Sequence, residues 1–356
     1  MSQPKYTILI PAFIENPDVE IEVLGDDYHL IAAQATEASQ IEDTAWAACD
    51  AILVFHAVPW YTEKFIAKLD NCKIIVRAGV GYDNLDLKAA GAAGIICCNV
   101  PDYGTNEVAD HAIGLMLAMV RKIPALNEKI RVGGWHYDLA GPLPRLWNRN
   151  FSIIGLGRIG TATAIRAKAF GLNVCFYDPF LPDGVDKALG ITRYYNLDDM
   201  LAAADIVSFH PPLTDETAGM ADGEFFAKMK PNGFLINTAR GGVIDIPALA
   251  EALRSGRLRG AALDLWPMEP PPDDDPLITA FRAGEPWAAD RLVLTPHAAF
   301  FSEEGMRELR VNGALEAQRA LMGQVPRNCV NIDALVNPRA GARLLATLRK
   351  TADRPT

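Results

Sequence analysis

The chain has 356 residues, 50% of them hydrophobic and 22% charged, which makes it too long for one ordinary core and too apolar for disorder. Its formal net charge of −10 argues against direct nucleic-acid binding and requires locally placed arginines for any anionic ligand. The longest apolar run, 112–120, stops at Arg121, and the first 13 residues hold a single Lys5, so neither a membrane span nor a signal peptide is expected, and the protein reads as soluble and cytoplasmic.

Strand-like and helix-like runs alternate from the start. Residues 6–10, 28–32 and 51–56 read as strands, 62–69 as a helix, and 73–77 as another strand. A glycine-rich turn, 78–84, follows that strand's carboxyl end, the edge where ligands bind in open α/β sheets. A helix over 86–93 and a strand over 95–100 continue the pattern. Such βαβ alternation predicts a parallel sheet with helices on both faces. A long helix over 105–122 leads into an irregular segment, 133–149, which carries Trp135, Trp147, Pro142 and Pro144 and reads as a dimer arm or a pocket wall.

The next stretch, 151–178, is the densest in signal. A short apolar run, 151–154, is followed by Gly155, Gly157 and Gly160 at G-x-G-x-x-G spacing, then by an Ala-rich amphipathic helix and a strand over 173–177. Gly155 allows the tight turn, Gly157 lets a pyrophosphate approach the backbone, and Gly160 lets the helix pack on the strand. The free N–H groups of the first helical turn attract phosphate. Asp178, 21 residues after Gly157, is placed to accept hydrogen bonds from a ribose. Pro179, Phe180 and Leu181 follow it, with no cation for a 2′-phosphate, which favours NAD over NADP.

Further strands are expected at 205–210, 234–237, 261–265 and 291–294, with helices between them. Ser302 caps a last long helix that ends near Gly323. The tail, 336–356, is basic and reads as a surface helix or as partly disordered. Because the second sheet is complete near His297, the last helix is free to return to the first domain. The expected layout is therefore discontinuous: 1–105 with 300–335 as one domain, and 106–299 as the other.

Three polar residues fall just past predicted strands: Arg240, Glu269 and His297. Reduction of a carbonyl by hydride requires a proton for the oxygen, which a histidine supplies near neutral pH. A neighbouring carboxylate, Glu269, favours the imidazolium form. Arg240 offers planar, permanently charged donors for a substrate carboxylate. Backbone N–H groups at Gly79, Val80 and Gly81 are candidates for the same carboxylate, and Arg77 is the candidate for any additional anionic group. His210 ends a strand at the cofactor edge, whereas His111, in a helix, reads as structural. Tyr82, Tyr103, Phe300 and Trp135 are candidate pocket walls. No histidine pair has metal-ligand spacing, so no metal is expected. The six cysteines (49, 72, 97, 98, 175 and 329) form no C-x-x-C pair and read as buried, reduced thiols.

The motifs 154–160 (IGLGRIG), 237–242 (NTARGG) and 295–297 (TPH) resemble those of the D-isomer-specific 2-hydroxyacid dehydrogenases over nearly the whole chain. Runs at 166–171 (RAKAFG), 176–179 (FYDP) and 297–299 (HAA) resemble the C-terminal-binding-protein branch. The resemblance implies two doubly wound domains, a Rossmann NAD-binding domain inserted in a flavodoxin-like substrate domain, and a homodimer. It also implies catalysis by Arg240, Glu269 and His297, with His297 as the acid/base and Phe300 at the substrate. Cofactor contacts are implied from Arg158, Ile159, Asp178, the 211–217 loop (Pro211, Pro212 and Thr217 among them), Thr238, Ala239 and Asp264, the last holding the nicotinamide carboxamide. The reaction implied is NAD-dependent interconversion of a small 2-oxo acid and its D-2-hydroxy acid. An NAD(H)-sensing corepressor-like scaffold and a phosphoglycerate-type dehydrogenase are the alternatives. Phe300 stands where the corepressor branch carries Trp, the 270–290 loop is longer than usual, and no regulatory module is expected after the last helix, which weighs against the phosphoglycerate-type alternative.

Overall fold

The structure is a computed structural model and describes residues 4–55 and 58–352. The chain forms two compact units, Met1–Gly104 with Ser302–Thr356, and Thr105–Phe301. It thus leaves the first unit after Gly104 and returns to it at Ser302.

In the first unit, β1 (Tyr6–Ile10), β2 (Tyr28–Ala32), β3 (Ala51–Val54), β4 (Ile74–Arg77) and β5 (Ile96–Asn99) form one parallel sheet in the order β2-β1-β3-β4-β5. This is the flavodoxin-like order. The central strands β3 and β4 are buried along their whole length, as unbroken apolar runs demand when helices cover both faces. The expected strand 51–56 ends at Val54, and His56 lies outside the described residues.

Helix Glu303–Leu321 packs on β3 and β4 and on helix Asp18–Leu24. Its first turn is capped by the Ser302 hydroxyl, which accepts from the Gly305 N–H at 2.8 Å. The Arg310 guanidinium grips the fully buried Glu20 carboxylate at 3.0 and 2.6 Å and reaches Asp18 at 2.7 Å. A buried carboxylate is tolerable only with such a partner.

The tail, expected as a surface helix or as partly disordered, carries a helix and packs on the first unit together with the segment before it. Asn331 is buried and ties β5 through Cys97 N–H and Ile95 C=O, both at 2.9 Å. The Arg339 N–H donates to Gly94 C=O at 2.9 Å. Helix Ala342–Ala352 then buries Leu344 and Leu348. Leucines four residues apart share one helical face, and that face docks the segment despite its charge.

In the second unit, β6 (Asn150–Ile154), β7 (Asn173–Tyr177), β8 (Thr192–Arg193), β9 (Ile206–Phe209), β10 (Gly233–Asn237), β11 (Leu258–Leu263) and β12 (Leu292–Leu294) form a parallel sheet, ordered β12-β11-β10-β9-β6-β7-β8. The strand order reverses between β6 and β9, the crevice where Rossmann folds bind dinucleotides. The expected helix 105–122 stops at Val120, Lys122 turns left-handed, and a second helix, Ile123–Arg131, follows. Beyond it the chain is irregular apart from one 3-10 turn, Tyr137–Ala140. Among the described residues no helix is long and apolar enough to cross a membrane.

Candidate active site

Each glycine of the loop after β6 has a distinct spatial reason. Gly155 is left-handed (φ +82°), and a Cβ there would lie 2.8 Å from Pro211 N, so the loops after β6 and β9 need this glycine to touch. A Cβ on Gly160 would collide with the Gly155 carbonyl oxygen, whereas one on Gly157 would meet nothing within 4 Å. Gly157 therefore keeps open the space a pyrophosphate needs. It also starts helix Arg158–Ala169 without any side-chain cap, leaving first-turn N–H groups available to an anion. Arg158 is exposed and Ile159 half-buried in that turn.

Asp178 ends up half-buried past β7. One oxygen accepts from the Leu156 N–H of the glycine loop at 2.9 Å, the other from the Phe180 N–H at 3.0 Å. A carboxylate has about four acceptor sites, so capacity for a ribose remains. A cation invisible in the local sequence stands close by: Arg193 donates to the Asp178 backbone carbonyl at 3.0 Å and to Leu181 C=O at 2.8 Å. Its side chain is 7% exposed and is occupied in shaping the 178–182 turn.

The cofactor edge continues through His210 and Thr238. Burial pushes the His210 imidazole down to about 3, so it is neutral, bonded through Nε2 to the Ser208 hydroxyl at 2.9 Å. Its Nδ1 and the buried Thr238 hydroxyl have no hydrogen-bond partner among the described residues. Orphaned buried polar atoms are rare without a missing ligand or water; these two, with the space at Gly157, fit a dinucleotide. Pro211 is buried and Pro212 exposed. The Thr217 hydroxyl is engaged within its own turn, donating to Pro212 C=O at 2.7 Å and accepting from Thr214 N–H at 2.8 Å.

The acid–base group assembles across three loops. His297 Nδ1 lies 2.6 Å from Glu269 Oε2, and both side chains are 34% exposed. Glu269 Oε1 accepts from the Trp266 N–H at 3.1 Å. Partial burial alone would raise the Glu269 carboxyl, but the His297 hydrogen bond and charge, the Trp266 N–H and the Arg240 guanidinium together hold it below the usual carboxylate value. Arg240 is half-buried, its backbone carbonyl accepting from Asn237 Nδ2 at 2.8 Å and its Nη1 donating to Ala239 C=O at 2.9 Å. Any Cβ on Gly241 would collide with the Trp266 and Pro267 backbone. Only glycine lets the loops carrying Arg240 and Glu269 press together. Phe300 stands edge-on to His297, with ring centroids 5.9 Å apart.

Asp264, expected from the resemblance to hold the nicotinamide carboxamide, has extensive contacts with the 295–299 loop. It is 2% exposed. One oxygen accepts from Thr295 Oγ1 at 2.6 Å and Ala298 N–H at 2.9 Å, the other from Ala299 N–H at 3.0 Å. Its backbone carbonyl also takes the His297 N–H at 2.7 Å. The side chain clamps the loop that carries His297, which turns through a left-handed φ of +53°. His111, read from sequence as structural, joins this clamp: Nε2 lies 3.0 Å from Thr295 Oγ1 and 3.7 Å from Asp264 Oδ1. No local signal links residues 184 positions apart.

In the first unit, the Gly79–Gly81 turn is held by Val100 N–H to Gly79 C=O at 3.0 Å and Asn99 Nδ2 to Val80 C=O at 2.7 Å. Arg77 does not reach outward as an anion ligand would: it is 7% exposed, and its Nη1 turns to the carbonyls of Val54, Phe55 and Ala78. A Cβ on Gly79 would stand 2.8 Å from its Cζ, so the glycine lets the turn lie on a buried arginine buttress. Tyr103 is buried, Tyr82 37% exposed and Trp135 85% exposed.

A family model for the NAD-binding domain of D-isomer-specific 2-hydroxyacid dehydrogenases matches residues 113–299. The chain is 37% identical over 290 residues to a D-3-phosphoglycerate dehydrogenase of Methanocaldococcus jannaschii, covering 82% of this chain and 53% of that protein. It spans about half the length of the curated relatives it matches. Among solved structures, an NADPH-dependent glyoxylate/hydroxypyruvate reductase from Sinorhizobium meliloti is similar at 29% identity and TM-score 0.79, covering 92% of this chain and 97% of that one. A D-lactate dehydrogenase from Aquifex aeolicus, solved with NAD and lactic acid, is similar at 25% identity and TM-score 0.77, covering 91% and 99%.

Proposed function

The chain belongs to the D-isomer-specific 2-hydroxyacid dehydrogenase family, and from that premise we propose that it interconverts a 2-oxo acid and the corresponding D-2-hydroxy acid with NAD(H). The observation that carries the reading is the 2.6 Å His297–Glu269 pair, joined by the charge of Arg240 on the same carboxylate, in a sheet whose glycine loop fits a dinucleotide. Bound NAD(H) supplies the hydride exchanged at the substrate's C2. Glu269 fixes the His297 tautomer through Nδ1 and balances the imidazolium charge, leaving Nε2 to deliver the proton to the C2 oxygen or remove it. The Arg240 guanidinium orients the acid's carboxylate. Asp178 supports a preference for NAD, because a carboxylate there accepts ribose hydroxyls and repels a 2′-phosphate.

NADH consumption over a panel of 2-oxo acids tests this reading. The expected result is turnover with at least one acid and a loss of about 10²–10⁴-fold in kcat/KM for His297→Ala, with NADH affinity kept. Tight NADH binding without turnover on any acid would instead favour an NAD-sensing scaffold. The 37% identity to phosphoglycerate dehydrogenases supports a second reading, a phosphorylated substrate, so 3-phosphoglycerate and its oxidised form belong in the panel. The burial of Arg77 counts against that residue as the phosphate ligand. A homodimer is supported by the apolar side chains Val132, Trp135, Tyr137 and Trp147, each more than 60% exposed on one segment. Light scattering on Trp135→Glu/Tyr137→Glu checks it: a variant unchanged in mass would overturn this arm as the interface.

A further inference from the structure

The first unit holds a pair of cysteines that its fold places for covalent bonding. Cys98 lies in β5, and Cys329 lies in the segment that returns after helix Glu303–Leu321. The two are partners in an isolated antiparallel bridge. Flanking hydrogen bonds run from Val330 N–H to Cys97 C=O at 2.8 Å and from Asn99 N–H to Asn328 C=O at 3.2 Å. Cys98 and Cys329 therefore form a non-hydrogen-bonded cross-strand pair, whose Cα atoms stand about 4.5 Å apart with side chains on one face. That spacing lies inside the range a disulfide spans.

We propose that Cys98 and Cys329 form a redox-active dithiol that hydrogen peroxide converts to an intramolecular disulfide. Access and reactivity divide between them. Cys329 is the one cysteine of the six that is not buried, so oxidant reaches it first. The hydrogen bond from the Cys98 thiol and the Asn331 N–H lower the Cys329 thiol, against the opposing effect of its partial burial. Burial keeps Cys98 protonated in the reduced pair, so it is the resolving and not the attacking thiol, and its proton leaves with the sulfenic hydroxyl when the disulfide forms. The Cys329 thiolate attacks one peroxide oxygen: an S–O bond forms, the O–O bond breaks, and the leaving oxygen departs as water. The Cys98 sulfur then displaces the sulfenic hydroxyl from Cys329, forming the S–S bond and releasing a second water. Two thiols lose two protons and two electrons, and one hydrogen peroxide becomes two waters.

The bond would fasten the strand the chain follows just before leaving the first unit to the segment it follows after returning, enclosing the whole second unit in the loop. Cys49 and Cys72 form an internal control. They also approach each other, but both are buried, and their thiols donate to Trp46 C=O at 3.2 Å and Ile74 C=O at 3.4 Å.

The test treats the reduced full-length chain with hydrogen peroxide, counts free thiols and maps linked peptides by mass spectrometry without reduction. The expected result is a fall from six thiols to four, a link between the peptides carrying Cys98 and Cys329, and reversal by dithiothreitol. Cys329→Ser, at a partly exposed position, is expected to keep its five thiols under the same dose. Cys98→Ser is expected to trap Cys329 as a sulfenic acid that reacts with dimedone. Six thiols persisting in the wild type, a Cys49–Cys72 link, or a link between two chains would each overturn the proposal.

Discussion

Asp178 and Asp264 are the same residue type at the same kind of place, just past the carboxyl end of a strand in one parallel sheet, and the fold makes opposite uses of them. Asp178 follows β7, stays half-buried and keeps acceptor capacity beyond its two local N–H donors. Asp264 follows β11, is 2% exposed and spends both oxygens on Thr295, Ala298 and Ala299. The first is available to a ligand, while the second builds the loop that carries His297. A carboxylate's role is set by how many of its acceptor sites the chain itself fills, and burial decides that number.

The contrast between the two breaks most readily at Asp264. Replacing it with Ala leaves two N–H groups and a hydroxyl without their charged acceptor, at a cost of about 3 kcal/mol, measurable by denaturant unfolding. The same change is expected to lower kcat/KM along with stability, because His297 loses its support. Thr295→Val and His111→Ala are expected to reproduce part of that loss; full activity in both would show that the clamp does not position His297.

Gly241→Ala comes next, since a Cβ there meets backbone rather than a movable side chain. About 1–3 kcal/mol of stability and roughly 100-fold in kcat/KM should be lost. Gly157→Ala sharpens the contrast by meeting nothing: stability is expected to stay within about 0.5 kcal/mol, while dinucleotide affinity falls in a titration of NADH fluorescence.

Asp178→Ala should barely change stability and should weaken NAD by about 10–100-fold while leaving NADP much less affected. Equal losses for both cofactors would remove its ribose role, and destabilisation matching that of Asp264→Ala would abolish the distinction between the two residues.

The smallest effect concerns Glu269. Its carboxyl is depressed in the fold, so the stability it contributes is present above its unfolded value and lost as pH falls through the lower folded one. At 34% exposure solvent screening keeps that contribution small. Acid titration should show wild type and Glu269→Gln converging below the ordinary carboxylate range, and a difference that grows on acidification would contradict the depressed carboxyl.

Much of the site was legible because its signals are local. The glycine spacing, the acid 21 residues on, and polar residues just past apolar runs each follow from what a strand end must do. Arg240, Glu269 and His297 were singled out this way, and the structure brings Glu269 and His297 into contact. Roles that depend on a distant partner were not legible in this way. Arg77 looks like an outward cation until Val54, Phe55 and Ala78 are seen around it. His111 meets Thr295 only through the fold, and Arg193 lies beneath Asp178 although nothing adjacent to Asp178 in sequence announces a cation. The basic tail hid two leucines that dock it.

By itself, then, the sequence determined the alternation of strands and helices, the dinucleotide loop and the residue types available for acid–base work, because side-chain periodicity and glycine's conformational range act within a few residues. Only the tertiary structure decided which carboxylate keeps open acceptor sites and which clamps a loop, which arginine is a buttress, and which cysteines face each other. Those outcomes depend on burial and on neighbours contributed by segments far apart in the chain, and neither is encoded at any single position.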